Sequence, residues 1–319
     1  MRAIGIERFG DTPELRKLPV PEPGLGQVQV TIEAAAINPL DVAIASGALE
    51  WLGEYRFPLT LGLDGAGTVT AIGDGVTRFR VGDRVVGQFW SRPLQFGTFA
   101  EVCVVQAEPA LGALATIPTG MPSHVAAALP TAGMTALGAI EHTQVPEGGT
   151  LLIIGATGGV GTFAVQAAAA RGIRTIATAS AQHAEQVREL GTTEIVVRGE
   201  QPLEKALRQL APEGLDAVLD LVGDRSLTSS LAGAVKDGGA LLSTAFGLDD
   251  QLMADARIHA ANYSLDRKPE RLGALTKLVT AGRIRPVIGT ALPLEEAPRA
   301  LAGDLRTARQ CGKTVLQVG

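Results

Sequence analysis

GTLLIIGATGGVGTFAVQAAAARG, residues 149–172, is the stretch that decides the fold of this chain. Its residues 151–154 form an uninterrupted apolar run of strand length, which is typical of a parallel strand buried on both faces. A glycine cluster follows, and from Thr162 onward small apolar residues recur with helical spacing until Arg171 and Gly172. The stretch therefore predicts a strand, a tight turn and a helix in immediate succession.

The turn between this strand and this helix predicts a pyrophosphate-binding site. A helix that begins at such a turn leaves its first backbone N–H groups without partners, at the positive end of the helix dipole. The turn reads A-x-G-x-x-G, a variant of the dinucleotide fingerprint, which has glycine at the first position. The residues expected to contact the cofactor here are Ala156, Thr157, Gly158, Gly159, Val160 and Gly161. The alternative is a glycine-rich turn that binds no ligand.

Length and composition indicate a globular protein of two domains. The chain has 319 residues and a mass of 33.0 kDa, which exceeds the size at which single hydrophobic cores stop growing. Its 46% hydrophobic content is enough for sizeable cores. The net charge of −5 and the isoelectric point near 5.5 argue against a nucleic-acid partner and against an anionic membrane surface.

Cysteine usage and hydropathy predict the compartment. The two cysteines, Cys103 and Cys311, have no C-x-x-C partner, so we expect reduced structural thiols rather than a disulfide framework. Residues 2–6 resemble a strand and not a secretion signal, and no run approaches the ~20 apolar residues that span a bilayer. The sequence thus predicts a cytoplasmic protein that does not enter a membrane.

Two kinds of periodicity divide the chain. Residues 1 to about 110 contain short alternating strands and turn signals, which predict a β-rich domain. From about residue 149, strands and helices alternate, which predicts an α/β domain with a doubly wound parallel sheet. After residue 268 this alternation stops, so we expect the closing elements to rejoin the N-terminal domain.

The end of the second strand of the α/β domain predicts the cofactor. An acidic residue usually binds the ribose 2′-hydroxyl of NAD(H) there, but this chain has Ala179 and Ser180. Without a carboxylate to repel a 2′-phosphate, NADP(H) is favoured over NAD(H). The candidates for contacting that phosphate are Ser180, His183 and Arg198, although no strongly basic cluster is evident.

A series of short motifs, spread in order along the chain, also resembles the motifs of a known family. They are AAINPLD (35–41), LGLDGAGTV (61–69), VGDRV (81–85), GTFAEV (97–102), AAALPTAGMTA (126–136), the glycine turn, DAVLDLVG (216–223) and GKTVL (312–316). Together they resemble the medium-chain dehydrogenase/reductase superfamily, and within it the zinc-independent quinone oxidoreductase branch, also called zeta-crystallin-like. The resemblance covers nearly the whole chain.

The resemblance implies a specific domain arrangement. It implies a GroES-like catalytic domain built from residues 1–120 and 268–319, and a Rossmann domain for NADP(H) inserted as residues 121–267. It further implies a cleft between the domains and a homodimer joined through edge strands of the Rossmann sheets.

The residues at the family's zinc positions predict that no metal binds. Zinc-dependent relatives have a catalytic cysteine where this chain has Asn38, and a G-H-E segment where it has Gly62, Leu63 and Asp64. A zinc site needs three or four Cys, His or carboxylate ligands. The four histidines, His124, His142, His183 and His259, are scattered without ligand spacing. Only His183 lies near a predicted site, and we expect the other three to be structural or exposed.

Three polar residues are the catalytic candidates, because a carbonyl oxygen that receives hydride without a metal needs hydrogen-bond donors. Asn38 could donate its amide to a substrate oxygen, or serve as a turn residue before Pro39. Asp41 could order Asn38 or a cofactor hydroxyl, or cap a helix. Tyr55 could supply a proton, or be a surface aromatic residue.

Further candidates surround the expected cofactor. Thr131 matches a position that faces the nicotinamide in relatives, with helix packing after Pro130 as the alternative. Strand ends at Val222, Gly223, Phe246 and Gly247 lie where open sheets bind ligands. Lys313 and Arg309 could approach the cofactor phosphates or be solvated. Trp90, Phe96 and Tyr263 could line an apolar acceptor pocket or pack in cores.

The sequence therefore predicts an NADPH-dependent, metal-free reductase of an apolar, electron-poor acceptor, either a quinone or an α,β-unsaturated carbonyl compound. One alternative with the same fold is an enoyl-thioester reductase of a biosynthetic pathway. Another, from a different class, is a protein that binds NADPH as a sensor or structural component without catalysis.

Overall fold

The chain forms two compact units in a computed structural model that describes residues 1–266, 268–304 and 310–319. Unit 1 comprises residues 1–132, 267–280 and 288–319, and unit 2 comprises residues 133–266 and 281–287. Residues 121–132 belong to unit 1, whereas the bounds that the resemblance implies place them in the Rossmann domain. Residues 281–287 belong to unit 2, because the buried Gln166 side chain binds both the N–H and the carbonyl of Arg285.

The structure contains β-strands β1 (Arg2–Ile6), β2 (Glu14–Lys17), β3 (Gln27–Ala36), β4 (Leu59–Thr60), β5 (Asp64–Ile72), β6 (Arg84–Gln88), β7 (Val102–Gln106), β8 (Ala113–Thr116), β9 (Thr150–Ile154), β10 (Arg174–Ala179), β11 (Glu194–Val197), β12 (Leu215–Asp220), β13 (Val235–Ser243), β14 (His259–Asn262), β15 (Ile288–Pro293) and β16 (Lys313–Gln317). The α-helices are α1 (Pro39–Ala45), α2 (Ser123–Ala127), α3 (Pro130–Thr143), α4 (Gly159–Ala169), α5 (Ala184–Glu189), α6 (Leu203–Leu210), α7 (Arg225–Leu231), α8 (Asp250–Met253), α9 (Pro269–Thr280) and α10 (Ala297–Ala302). Short 3-10 helices lie at Glu50–Leu52, Ala181–His183, Ala232–Ala234 and Leu294–Glu296.

Unit 1 is built around β3. This strand alternates between buried apolar residues such as Val28, Val30 and Ile32 and more exposed polar residues, as its period-two pattern requires. Its sheet runs in the order β15-β16-β3-β5-β6-β8, with β7 also pairing with β3, and a second sheet runs β2-β1-β4. The C-terminal strand β16 pairs antiparallel with β3, Val315 opposite Ala36. The closing elements thus rejoin the N-terminal domain, as the sequence predicts.

Unit 2 is a six-stranded parallel sheet in the order β11-β10-β9-β12-β13-β14. Its central strand β9 is the apolar run of the glycine stretch, and Leu151 to Ile153 are completely buried. The strand order reverses between β9 and β12, so the ligand-binding crevice is expected at the carboxyl ends of these strands. The predicted fold class, a β-rich GroES-like domain plus a doubly wound parallel sheet, is confirmed. β14 was not predicted, because its four residues contain no apolar run.

No helix formed by the described residues has both the length and the apolar character that crossing a bilayer requires.

The close contact between β5 and β3 gives a test of the unit 1 fold. A Cβ atom at Gly67 would lie 2.0 Å from the carbonyl oxygen of Thr31, so Gly67→Ala must displace a strand. We expect it to lower the free energy of unfolding by about 1–3 kcal/mol in chemical denaturation. Gly273 of α9 is the control, because no atom lies within 4 Å of its would-be Cβ and a helical Gly→Ala change stabilises by up to ~1 kcal/mol. Equal shifts for the two variants would contradict this packing.

Candidate functional site

The glycine turn of unit 2 has the geometry of an anion site at a helix N-terminus. Gly155, which follows β9, has a φ of +86°, and its carbonyl accepts the N–H of Gly158 at 3.0 Å. Gly158 is the N-cap of α4 and provides no side chain to satisfy the first helical N–H groups. Those N–H groups are therefore available to a ligand, and the positive end of the helix dipole favours a negatively charged one.

Gly161 allows α4 to pack against the end of β9. A Cβ atom at this position would lie 2.2 Å from the Gly155 carbonyl oxygen and 2.7 Å from the backbone of Ala156. Only glycine fits there without moving the helix. Ala156 stands where the strict fingerprint has glycine, and the fold accommodates it. The alanine methyl group is completely buried, and the positive φ lies at the preceding Gly155. The turn residues therefore fit a pyrophosphate.

The three candidates for binding the 2′-phosphate lie near the end of β10 and differ in burial and hydrogen bonding. Ser180 Oγ and His183 Nδ1 are hydrogen-bonded at 3.2 Å, and the His183 ring is buried. The backbone N–H of Arg198 donates to the Ala179 carbonyl at 2.8 Å, so Arg198 lies directly beside the end of β10. Its side chain is exposed, and no hydrogen bond or ion pair engages it within the described residues. Arg198 is thus the available cation of the three.

Asp220 holds the candidate site residues Val222 and Gly223 in place, and the sequence analysis does not single it out. This buried carboxylate at the end of β12 accepts the N–H groups of Val222 and Gly223 at 3.0–3.2 Å and the hydroxyl of Ser243 at 2.6 Å. Ser243 in turn accepts the N–H of Gly247 at 2.9 Å. One buried acid thereby fixes the loops after β12 and β13. The signal in the sequence is an aspartate that directly follows the buried apolar run Ala217 to Leu219 at the end of β12.

The loops held by Asp220 expose apolar side chains at the carboxyl edge of the sheet. Val222 is 56% exposed and Phe246 is 58% exposed. Phe246 also has a φ of +57°, a left-handed conformation that costs energy for an aromatic residue. Such strain is concentrated at ligand-binding positions, so both residues remain cofactor-binding candidates.

In unit 1, the Asn38 carboxamide is fully engaged. Asn38 precedes α1 and is buried. Its Nδ2 donates to Asp64 Oδ2 at 3.0 Å and to the Ala36 carbonyl at 3.3 Å, and its Oδ1 accepts from Lys313 Nζ at 2.6 Å. The predicted donation to a substrate therefore requires Asn38 to release one of these bonds.

Asp41 caps α1. Its Oδ2 accepts the backbone N–H of Asn38 at 2.7 Å, whereas its Oδ1 is buried without a partner among the described residues. Burial raises the pKa of Asp41 to about 7, and the charge of Asp64 acts in the same direction. The N–H of Asn38 and the charge of Lys313 oppose this rise.

Asp64 connects Asn38 to Thr131. Its carboxylate accepts the Thr131 N–H at 3.0 Å and the Thr131 hydroxyl at 2.7 Å, and Gln88 Nε2 donates to the same hydroxyl at 2.7 Å. Burial raises the pKa of Asp64, opposed by Lys313 and by these hydrogen bonds. Burial lowers the pKa of Lys313, opposed by the charges of Asp64 and Asp41. We call these residues (Asn38, Asp41, Asp64, Gln88, Thr131 and Lys313) the buried polar cluster.

The remaining unit 1 candidates are engaged in local packing. The Tyr55 hydroxyl donates to the Leu49 carbonyl at 2.8 Å, and its ring meets the edge of Phe9 at 5.1 Å. Burial, and secondarily Glu50, raises the pKa of Tyr55. Trp90 is a buried residue of the unit 1 core, and Phe96 is partly buried against the same core. Lys313 is buried and not solvated, and Arg309 lies outside the described residues.

The histidines of unit 2 meet in a way that their spacing did not predict. His142 Nε2 and His259 Nε2 are 3.3 Å apart, and the Tyr263 ring lies 5.6 Å from that of His142. Both histidines are exposed, as predicted. Among the residues that the structure describes, no three His, Cys, Asp or Glu side chains are grouped as metal ligands.

The donor set at the family's zinc positions does not fit a zinc ion. Leu63 is an apolar, buried residue, and the Asn38 oxygen accepts from an ammonium group. The Asp64 carboxylate already accepts three N–H or O–H donors. A tetrahedral site would need ligands that these residues do not offer.

Comparison with known proteins agrees with this architecture. Residues 24–118 match the alcohol dehydrogenase GroES-like domain family, and residues 190–316 match the zinc-binding dehydrogenase family. The chain is 29% identical to rat quinone oxidoreductase, over 99% of this chain and 97% of the relative. It is 32% identical to mouse mitochondrial NAD(P)H oxidoreductase RTN4IP1, over 92% of this chain and 82% of the relative. A mycobacterial protein solved in complex with NADPH is 28% identical, with a TM-score of 0.85 and full coverage of both chains.

The raised pKa of Asp41 predicts a pH dependence of stability. A carboxyl that holds its proton to higher pH in the folded state stabilises that state below the unfolded pKa of about 4, and this contribution is lost as the pH rises towards 7. Relative to Asp41→Asn, the wild-type free energy of unfolding should therefore decrease between about pH 4 and pH 7. We expect a few kcal/mol at most, since each pKa unit corresponds to about 1.4 kcal/mol. Denaturant titrations across this range measure it, and parallel pH profiles would refute it.

Proposed function

Because the chain belongs to the medium-chain dehydrogenase/reductase superfamily, in its quinone oxidoreductase branch, we propose that it is an NADPH-dependent, zinc-independent oxidoreductase. The proposed reaction transfers hydride to a quinone or to an α,β-unsaturated carbonyl acceptor. The substrate is thus a small apolar molecule, and neither a nucleic acid nor a membrane is part of the proposal.

The observation that carries the proposal is the glycine turn at the point where the strand order reverses. Gly161 permits the close approach of α4 to β9, and the first N–H groups of α4 are left for a pyrophosphate. Asp220 fixes the two neighbouring loops at the same edge of the sheet. When bound there, NADPH supplies a hydride from its nicotinamide ring.

NADPH is favoured over NADH by the residues around the end of β10. Ala179 and Ser180 provide no carboxylate to repel a 2′-phosphate or to bind a 2′-hydroxyl. Arg198 lies beside Ala179, and its exposed guanidinium group makes no hydrogen bond or ion pair with any residue that the structure describes. A guanidinium group is the type of donor that binds a phosphate. The NADPH complex of the mycobacterial relative supports the same choice.

The buried polar cluster supports a metal-free mechanism. Hydrogen-bond donors must then stabilise the acceptor oxygen as hydride arrives. We propose Asn38 and Tyr55 for this role, each exchanging a bond to a carbonyl or carboxylate of the chain for one to the acceptor. Asp41 holds the start of α1 and thus the position of Asn38. Tyr55 or water would return the proton to a reduced enone.

The resemblance also implies a homodimer and a cytoplasmic location, which we retain as proposals. β14 forms one edge of the unit 2 sheet, the kind of strand through which such a dimer would form. Light scattering of the purified protein would measure the number of subunits.

The proposed activity is tested by following NADPH oxidation with a panel of quinones, enones and enoyl thioesters. We expect turnover with quinones or enones. Turnover confined to enoyl thioesters would favour a biosynthetic enoyl reductase, and tight NADPH binding without turnover of any acceptor would favour a sensor. The activity should withstand dialysis against a chelator, and its loss with recovery on adding zinc would refute a metal-free mechanism.

Cofactor preference gives a sharper prediction at Arg198. We expect Arg198→Ala to weaken NADPH binding by roughly ten- to a hundredfold, because a hydrogen bond to a charged group contributes about 1.5–3 kcal/mol. Binding of NADH should change less than about twofold, since it has no 2′-phosphate. Arg208→Ala, an exposed arginine on α6, is the matched control. An equal loss for both cofactors would show that Arg198 does not read the 2′-phosphate. Fluorescence titration of each reduced cofactor gives the dissociation constants.

A further inference from the structure

His142 and His259 form an exposed pair of histidines in unit 2. His142 lies in the last turn of α3, and His259 is the first residue of β14. Their Nε2 atoms are 3.3 Å apart, and both residues are exposed. The two residues are 117 positions apart in the chain, so the fold brings them together. Neither belongs to the glycine turn or to the buried polar cluster, so the proposed reaction gives the pair no role.

Two imidazole rings at this distance need something between their facing nitrogens. Each Nε2 carries either a proton or a lone pair. Two facing protons or two facing lone pairs repel each other. A proton on one ring gives a hydrogen bond, and a metal ion between two lone pairs gives two coordinate bonds. The contact is therefore bridged either by one shared proton or by one cation.

The geometry of the pair fits a metal ion. Two imidazole nitrogens on one tetrahedral zinc ion, each about 2.0–2.1 Å from the ion, lie about 3.3 Å apart. The ring centroids of His142 and His259 are 5.2 Å apart, and the ring planes are inclined by 52°. A straight N–H···N bond of the observed length would separate the ring centres further, so the ring axes are bent away from the line between the nitrogens. Such a bend weakens a hydrogen bond, whereas two ligands that share one ion require it.

The surroundings support the two rings and leave room for water. The Tyr263 ring packs beside His142, with 5.6 Å between the ring centroids, and β14 pairs with β13. His259 lines a cavity of 220 Å³, which has room for several water molecules. Lys236 lines the same cavity and pairs with Asp216 at 2.8 Å, so the charge of this ammonium group is compensated.

We propose that His142 and His259 bind one divalent transition-metal ion of the zinc, nickel or copper group through their Nε2 atoms, and so tie the end of α3 to the edge strand β14. Imidazole is a preferred ligand of these ions. Water completes the coordination, since the described residues group no set of three His, Cys, Asp or Glu ligands. The ion stabilises unit 2 and takes no part in hydride transfer, so this inference does not depend on the proposed reaction.

Calorimetric titration of the full chain with zinc chloride tests the site, after a chelator has been added and removed. We expect one zinc ion per chain, with a dissociation constant on the order of 1–100 µM, because the site has half the protein ligands of a structural zinc site. His142→Ala and His259→Ala should each weaken binding at least roughly tenfold, since changes outside the ligands themselves already cost that much. Combining the two substitutions should add little, because either one breaks the chelate.

His124→Ala is the matched control, because it removes an exposed histidine from α2. This variant should bind zinc like the wild type. A wild-type protein without a zinc site, or unchanged zinc affinity in His142→Ala or His259→Ala, would show that the pair shares only a proton and would overturn the proposal.

A spectroscopic measurement tests the ligands without any variant. With one equivalent of Cu²⁺, the electron paramagnetic resonance spectrum of the wild type should show hyperfine coupling to two imidazole nitrogens. Coupling to one imidazole nitrogen, or to none, would contradict a shared ion.

Hydrogen exchange tests the link between the two elements. Saturating zinc should slow the exchange of backbone amides in residues 133–143 and 259–262, because an ion bound to the closed form opposes local opening. His142→Ala should lose this protection. Unchanged exchange in the wild type at saturating zinc would overturn the link between α3 and β14.

Discussion

The antiparallel pairing of β16 with β3 is the contact on which this architecture depends. It places Val315 opposite Ala36 and thereby joins the last strand of the chain to the central strand of unit 1. Unit 2 can be an insertion only because the chain returns in this way. The same pairing carries Lys313 next to Asn38, so a single strand pair both completes the β-rich unit and assembles the buried polar cluster.

In each unit, one buried aspartate holds neighbouring loops or helices in a fixed arrangement through its hydrogen bonds. Asp220 joins the loops after β12 and β13, and Asp64 joins the starts of α1 and α3 to β5. A buried carboxylate is tolerated when several donors satisfy it, and both residues accept at least three. Asp41 differs, since one of its oxygens has no partner among the described residues. Burial raises the pKa of Asp41, as it raises that of Asp64.

The features that the sequence predicts well are local ones. The strand, turn and helix of residues 149–172 follow from periodicity and glycine placement within a few residues, and the doubly wound sheet follows from repeated alternation. The cluster could not be derived in this way, because Lys313 and Asn38 are separated by 275 residues and no local pattern reports their contact. The same holds for His142 and His259, which are 117 residues apart. For Lys313 the sequence predicts only a solvated or phosphate-binding cation, since burial of a lysine is rare.

The cluster also bears on which acceptors suit the proposed reaction. A metal ion keeps an open coordination position for a substrate oxygen, whereas the ammonium of Lys313 donates to Ile37 and Asn38, inside the chain. The Asn38 amide donors are likewise engaged by Asp64 and Ala36. A site with such donors stabilises a localised alkoxide weakly, because each new bond to substrate replaces an existing one. Quinones and enones spread the developing charge over a conjugated system, so they need less stabilisation at any single oxygen. If unit 1 binds the acceptor as proposed, its bonding pattern suits conjugated acceptors better than simple ketones or aldehydes.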